Sequence, residues 1–340
     1  MRIPAFIKKG GTIGFVAPSY GCNIEPYYSA FQNAQKKFKE RGYLLDIGPN
    51  CYEGKGIGIS NTPSKCAEEI NTYFAKEDTD VLISCGGGEL MCEILDEISF
   101  EEIAKKTPKW YMGYSDNTNL TFLLATLCDT ASLYGPCAAA FGMEPWHPSL
   151  EDAMSILEGK KDSVSGYPLW EKESLKDEEH PLLPYHVTEE KIIRCFPDGE
   201  HQITGRLLGG CLDCLGKLVG TGFDKVRDFL EKYKEDGFIW YLEACDLNVM
   251  DIRRSIWQLK HAGWFEYCRG FLIGRPACFG QTLFGLDQYH AVTDLLEEYQ
   301  VPVIMDVDIG HVAPMMPIVN GVCAEVLVQN GNVKIHYLWR

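Results

Sequence analysis

The sequence lacks any apolar run long enough to cross a membrane, and it lacks an excess of positive charge. No window approaches the roughly 20 consecutive apolar residues that a transmembrane helix needs. The 32 lysines and arginines are outnumbered by 48 aspartates and glutamates, which gives a formal charge of −16 at pH 7. Because nucleic acids and anionic membrane surfaces are both bound through basic surfaces, we expect neither as a partner.

We also expect no export signal, since residues 1–11 contain no apolar core and no small-residue cleavage site. We therefore expect a cytoplasmic protein whose 14 cysteines are reduced thiols. Cys211 and Cys214 have the C-x-x-C spacing, but no second pair or histidine follows at ligand spacing. We favour two small residues on a helix over a redox motif and expect no metal site.

Phosphate-binding fingerprints are absent as well. The glycine run at 86–88 is not part of a G-x-G-x-x-G motif, and G-x-x-x-x-G-K-[ST] does not occur in the chain. The run at 54–58 resembles a nucleotide loop only superficially, because it does not lie tightly between a strand and a helix. We therefore predict no cofactor, and a nucleotide-dependent enzyme is a disfavoured alternative.

What the chain does contain is an alternation of short apolar runs with helical patterns. At 340 residues it suits two domains. We predict an α/β fold: an N-terminal Rossmann-like or flavodoxin-like parallel-sheet domain over 1–140 and a C-terminal α/β domain over 201–340. Residues 141–200 are predicted as a linker or insertion whose length is typical of a lid. The predicted strands are 12–17, 44–47, 80–85, 110–114, 203–208, 238–244, 271–274 and 303–307, with a hairpin at 323–337. The predicted helices are 26–41, 63–76, 117–127, 250–262 and 286–299.

Ser115 lies where a strand ends and a helix begins at once, in Gly113-Tyr114-Ser115-Asp116-Asn117. Such a turn exposes a serine hydroxyl beside free backbone N–H groups, which is what a nucleophile elbow requires. Asn117 stands where a G-x-S-x-G motif has its second glycine. The alternative is that Ser115 or Asp116 only caps the helix.

Further candidates follow other strands. The glycine turn at 86–88 follows one buried strand, His311 follows the strand at 303–307, and Glu243 lies at the end of the apolar stretch 239–242 within the strand at 238–244. A serine nucleophile needs a base, and the base needs an orienting acid. Each residue alone has a structural explanation, but active sites of α/β folds gather at the carboxyl ends of strands.

The chain resembles the LD-carboxypeptidases, a family of serine peptidases that also contains the microcin C7 self-immunity proteins. The matching segments, in chain order, are 11–19 (GTIGFVAPS), the glycine turn, 113–118 (GYSDNT), 134–136 (YGP), 205–210 (GRLLGG), 310–311 (GH), Pro317 and Gly321. The resemblance implies a Ser-Glu-His triad of Ser115 as nucleophile, Glu243 as orienting acid and His311 as base. It also implies an oxyanion hole of the Asp116 and Gly88 N–H groups, an active site between the two domains, no metal, and a homodimer.

The substrate is left open between two members of this family. The carboxypeptidases cleave the amide bond before a terminal D-alanine in a murein tetrapeptide, and the immunity proteins cleave an aminoacyl-nucleotide or peptidyl-nucleotide amide. The arginine that is typical before the glycine turn is missing here, whereas residues 311–315 and the tryptophan-bearing insertion resemble the immunity branch. We expect Gly87, Glu89 and Trp170 to contact substrate, and Asp246 is a weaker candidate than Glu243 for the orienting acid. A binding protein without turnover is a further alternative.

Overall fold

The computed structural model describes residues 1–340, which divide into two compact units. Unit 1 comprises residues 1–161 and 173–186, and unit 2 comprises residues 162–172 and 187–340. The stretch predicted as an insertion, 141–200, is thus shared between the two units. Its action as a lid stays a prediction.

Unit 1 is built on a parallel sheet. Its strands are β1 (Thr12–Val16), β2 (Leu44–Ile47), β3 (Val81–Ser84), β4 (Trp110–Gly113) and β5 (Ser132–Tyr134). They lie in the order β5-β4-β3-β1-β2, and every neighbouring pair is parallel. This is the flavodoxin-like order, whose ligand crevice lies outside the carboxyl ends of β1 and β3, where the strand order reverses. The predicted fold class is confirmed.

Helices cover this sheet. They are α1 (Tyr27–Glu40), α2 (Pro63–Ala75), α3 (Phe100–Lys105), α4 (Thr118–Thr126) and α5 (Pro148–Leu157), with 3-10 segments at Met91–Glu97, Ser115–Asn117 and Ala138–Gly142. Proline in the first turn of α2 needs no N–H partner, which is why the helix begins there. The strands β3 and β4 are completely buried, as expected of short apolar runs in a parallel sheet.

Unit 2 contains a larger, mixed sheet. The strands of unit 2, not all of which belong to this sheet, are β6 (Ser163–Ser165), β7 (Leu169–Trp170), β8 (Glu189–Glu190), β9 (Arg194–Phe196), β10 (His201–Cys211), β11 (Phe238–Glu243), β12 (Cys268–Gly274), β13 (Thr282–Leu283), β14 (Leu286–Asp287), β15 (Val303–Val307), β16 (Ile318–Asn320), β17 (Cys323–Gln329) and β18 (Asn332–Tyr337). The large sheet has the order β6-β18-β17-β10-β11-β12-β15-β9. Its centre, β10-β11-β12-β15, is parallel, so the carboxyl ends of these four strands meet at one edge.

Three of the four helices of unit 2 have seven residues each. The four are α6 (Leu212–Leu218), α7 (Val226–Lys232), α8 (Val249–His261) and α9 (His290–Leu296), followed by a 3-10 turn at Glu297–Tyr299. The predicted helix over 286–299 is wrong at its start, because β14 pairs with β13 in a hairpin. The Asp287 carboxylate then accepts hydrogen bonds from the N–H groups of Tyr289 and His290, so the helix begins only there.

The other predicted elements are observed with ends shifted by a few residues. None of the helices combines the length and the apolar character that crossing a membrane requires. No cysteine forms a disulfide, and only Cys92 is exposed.

Candidate active site

Ser115 lies directly after β4 with a backbone φ of 64°, in the left-handed region that is unfavourable for residues other than glycine. Such a conformation costs roughly 1–2 kcal/mol. Neither the 3-10 segment nor α4 begins with a side-chain capping bond, and their N-cap positions are Tyr114 and Asn117. The capping alternative for Ser115 is therefore wrong. Strained backbone at a strand end is typical of functional sites.

Hydrogen bonds around Ser115 hold this turn in place. The Ser115 N–H donates to the Tyr134 hydroxyl at 3.2 Å. The Asp116 carboxylate accepts from the Ser19 hydroxyl at 2.6 Å and from the Met91 N–H at 2.9 Å. Burial raises the pKa of Asp116 to about 6 even though these bonds lower it. The Asp116 side chain thus ties the turn to its neighbours, which the sequence did not reveal.

The glycine turn after β3 is packed against Ser115. A Cβ added at Gly87 would lie 3.0 Å from the Ser115 Cβ and 3.1 Å from its Oγ. One added at Gly88 would lie 2.2 Å from the Ser19 Oγ. The Tyr20 N–H donates to the Gly87 carbonyl at 2.8 Å, and no acceptor of the chain pairs with the Gly88 N–H. The turn therefore needs glycine because it approaches the serine so closely.

Glu89 gives this end of unit 1 a negative field. It is exposed immediately after the turn. Burial and then the charge of Glu89 raise the pKa of the Tyr20 phenol, and the same charge adds to the raised pKa of Asp116. A cationic group of a ligand would be favoured beside this turn, and a carboxylate would be disfavoured.

Glu243 and His311 meet at the carboxyl edge of the unit 2 sheet. Glu243 is the last residue of β11 and is fully buried, and its Oε2 lies 2.8 Å from the His311 Nδ1. Gly310 has a φ of 100°, and a Cβ there would lie 2.4 Å from the Glu243 Oε2. A Cβ at Gly274, the last residue of β12, would lie 2.8 Å from the Glu243 Cβ. Two glycines therefore make room for this pair. Asp246 is exposed and is not the carboxylate that holds the imidazole.

Two opposing effects set the pKa of His311. Burial lowers it, but the negative charge of Glu243 raises it, and the balance holds the pKa well above its usual range. The carboxylate also fixes the ring through Nδ1, which leaves Nε2 as the nitrogen that can exchange a proton with a substrate.

Three cysteines surround the Glu243–His311 pair, and no pattern in the sequence predicts them there. Cys211 ends β10 and is the register partner of Glu243. Its Sγ, a Glu243 carboxylate oxygen and a His311 ring nitrogen all lie within 4.8 Å of one another. Cys214 hydrogen-bonds to Cys211, and Cys245 to His311. The prediction that the C-x-x-C pair lies on a helix is wrong for Cys211, because the chain is still extended there.

Trp170 is buried in unit 2, with 7% of its surface exposed. Its ring packs edge-on against Phe279 at 5.2 Å and lies 4.7 Å from the Arg275 guanidinium. Its Nε1–H donates to the Glu190 carbonyl at 3.2 Å. A contact between Trp170 and substrate stays a prediction, and such a contact needs these groups to move.

Comparison with known proteins gives consistent matches over nearly the whole chain. Residues 13–135 match the model of the LD-carboxypeptidase N-terminal domain, and residues 204–326 match that of the LD-carboxypeptidase C-terminal domain. The microcin C7 self-immunity protein of Escherichia coli is 25% identical over 98% of this chain and 95% of its own length. A Vibrio cholerae protein named as a carboxypeptidase is 24% identical over 97% of this chain and 96% of its own. A solved structure of the self-immunity protein with glutamyl sulfamoyl guanosine has the same fold, with a TM-score of 0.83 at 22% identity over 99% of this chain and 98% of that one.

Proposed function

This chain belongs to the LD-carboxypeptidase family and is an amide hydrolase of the serine-peptidase type, and we propose that Ser115, His311 and Glu243 are its catalytic triad. The observation that supports this most is the buried Glu243 carboxylate, 2.8 Å from the His311 Nδ1. A carboxylate in this position holds the imidazole in the tautomer that can accept a proton and stabilises the imidazolium that forms.

The proposed reaction has two halves. The Ser115 Oγ attacks the amide carbon while its proton passes to the His311 Nε2, and the carbonyl becomes an oxyanion. The carbon–nitrogen bond then breaks, the imidazolium gives its proton to the leaving nitrogen, and an acyl group remains on Ser115. Water, deprotonated by His311, releases the acid and restores the serine.

We assign the oxyanion hole to the N–H groups of Asp116 and Gly88. The amide that follows the nucleophile is the usual first donor of such a turn. Gly88 supports the second position because its N–H has no acceptor within the chain and its turn packs against Ser115. One such donor is worth about 10²–10³ in kcat.

The first candidate substrate is a murein tetrapeptide, cleaved at the L,D amide bond before its terminal D-alanine. Both matched family models carry the name of this activity. The terminal carboxylate of such a substrate needs a cation, and the residues on either side of the glycine turn, Cys85 and Glu89, do not supply one.

The second candidate is an aminoacyl-nucleotide, cleaved between the amino acid and the nucleotide-like group. Two observations favour it: the relative of known structure holds glutamyl sulfamoyl guanosine, and the exposed Glu89 carboxylate suits the α-ammonium group beside the scissile carbonyl. Under this proposal Glu89→Gln raises KM for the aminoacyl-nucleotide more than it lowers kcat, because the ammonium is bound equally in the ground and transition states.

A hydrolysis assay followed by mass spectrometry tests both candidates. Purified protein is offered L-Ala-D-Glu-meso-diaminopimelate-D-Ala and glutamyl sulfamoyl adenosine in parallel. Ser115→Ala is the inactive variant, and Ser64→Ala, whose hydroxyl only bonds Glu97 at the surface, is the matched control. Release of D-alanine selects the first candidate, and release of sulfamoyl adenosine selects the second. Cleavage of neither compound would refute both candidate substrates, and equal cleavage by Ser115→Ala would refute the proposed triad.

Two further expectations are tested alongside. A fluorophosphonate probe that labels wild type but not Ser115→Ala excludes a binding protein without turnover, because only an activated serine reacts. We also propose a homodimer, as the family resemblance implies. Light scattering on the eluting protein measures its mass, and a monomer at assay concentration would contradict the proposal.

A further inference from the structure

Three different metal-ligand side chains converge at the carboxyl edge of the unit 2 sheet. Cys211 and Glu243 end the neighbouring parallel strands β10 and β11 in register, so their side chains leave the sheet on the same side. His311 follows β15 and turns back toward Glu243. One donor atom from each residue lies within 4.8 Å of the other two.

The chemistry of these donors suits zinc. Zinc is held in proteins by thiolate, imidazole and carboxylate at about 2.0–2.3 Å, which places ligand atoms of one ion about 3–4 Å apart. A separation of at most 4.8 Å closes to that range with small side-chain rotations. Hard cations such as Mg²⁺ and Ca²⁺ prefer oxygen ligands, so the thiol and the imidazole favour zinc over them.

The surroundings offer a fourth ligand. Cys214 hydrogen-bonds to Cys211, and Cys245 hydrogen-bonds to His311, so either thiol is within reach of an ion held by the first three. The Glu243 and Cys211 side chains are buried, and a divalent cation would balance the charge of a carboxylate and a thiolate there.

We propose that Cys211, Glu243 and His311 form an inhibitory Zn²⁺ site, in which the ion blocks the hydrolase by occupying its base and orienting acid. The imidazolium of His311 and the Cys211 thiol each release one proton to solvent as zinc binds a His311 ring nitrogen, the Cys211 sulfur and a Glu243 oxygen. No electron is transferred. The inhibitory effect depends on the proposed role of His311 as base, whereas the binding of zinc does not.

Cobalt provides a direct optical test of the site. The full-length protein is freed of metal with a chelator, kept reduced with a phosphine, and titrated with Co²⁺ in place of zinc. We expect a thiolate-to-cobalt charge-transfer band in the near ultraviolet and the intense visible bands of tetrahedral cobalt, both lost when one equivalent of Zn²⁺ is added. Cys211→Ser and His311→Gln should each abolish the charge-transfer band and weaken zinc binding by at least about tenfold.

A matched control separates this site from the other thiols. Cys268 begins β12 and so lies at the opposite edge of the same sheet, and Cys268→Ser should keep both the spectrum and the affinity. Circular dichroism melts establish that each variant is folded. Cobalt bands that survive in both Cys211→Ser and His311→Gln, or a wild-type titration without a charge-transfer band, would overturn the proposal.

The activity measurement is made separately, on whichever substrate is cleaved. Zinc should inhibit wild type and Cys268→Ser at the concentration that fills the site, and the chelator should restore the rate. Cys211→Ser should need at least about ten times more zinc for half-inhibition of its own rate. Tight binding without inhibition would refute the blocking role of zinc. Failure to hydrolyse either substrate would count against the proposed function, while the cobalt titration would still test the zinc site.

Discussion

Replacing Gly310 with alanine separates the Glu243–His311 pair while leaving both residues in the protein. The new Cβ would lie 2.4 Å from the Glu243 Oε2, whereas ordinary contacts begin at 3.4 Å, so one of the two groups must move by about 1 Å. A displacement of that size in a catalytic group costs about 10²-fold in rate. We therefore expect kcat/KM of Gly310→Ala to fall by about 10²-fold.

Backbone strain is a second consequence of the same substitution. Gly310 has a φ of 100°, and a side chain in such a region costs of order 1–3 kcal/mol. Gly285 provides the control, because its φ is 83° and nothing lies within 4 Å of an added Cβ. Gly285→Ala should lose stability through the same backbone strain, without the overlap, and keep its activity.

The assay measures kcat/KM on the cleaved substrate together with urea unfolding of both variants. Activity lost in Gly310→Ala and kept in Gly285→Ala would show that separation of the pair, and not general destabilisation, slows the reaction. If Gly310→Ala keeps the wild-type kcat/KM, or if Gly285→Ala loses as much, the pair does not govern catalysis and the reasoning fails.

Three other outcomes follow from the same geometry. The free energy of unfolding, measured in urea, should be about 1 kcal/mol higher for Ser115→Gly than for Ser115→Ala, because glycine adopts the φ of 64° without the cost of the left-handed region. Equal values would argue against backbone strain at this position. Gly87→Ala should lower kcat/KM by about tenfold or more, because its Cβ would lie 3.1 Å from the Ser115 Oγ and a displaced nucleophile is no longer oriented for attack. Gly222→Ala, where nothing lies near the added Cβ, is the control and should keep the wild-type kcat/KM. The acid limb of the kcat/KM profile should lie above about pH 6.5, because the base acts when neutral and the pKa of His311 is raised. Glu243→Gln removes the negative charge that raises the pKa of His311, while burial still lowers that pKa. The acid limb of the kcat/KM profile should therefore move to lower pH, with a rate reduced by roughly 10⁴-fold. If the limb does not move, a group other than His311 titrates.

Local patterns were enough to identify much of unit 1. The runs at 12–17, 80–85 and 110–114 form buried strands because a parallel sheet covered on both faces needs continuous apolar residues. The turn at Ser115 was also predictable, since only two residues separate the strand predicted to end at 114 from the helix predicted to begin at 117, which leaves room only for a sharp bend. The helix predicted over 286–299 failed where Asp287 makes local hydrogen bonds that compete with the helix.

The sequence by itself therefore determined the fold class and pointed to Ser115, Glu243 and His311 as residues at or just after the carboxyl ends of strands. Only the tertiary structure decided that Cys211 lies beside Glu243 and His311, because no local pattern connects positions so far apart in the chain. Strand order and register set these neighbours, since parallel strands about 4.8 Å apart bring their last residues together. Glycine at 310 shows the same division: its residue type is visible in the sequence, but the reason for it is the carboxylate that the fold places 2.4 Å from the missing Cβ.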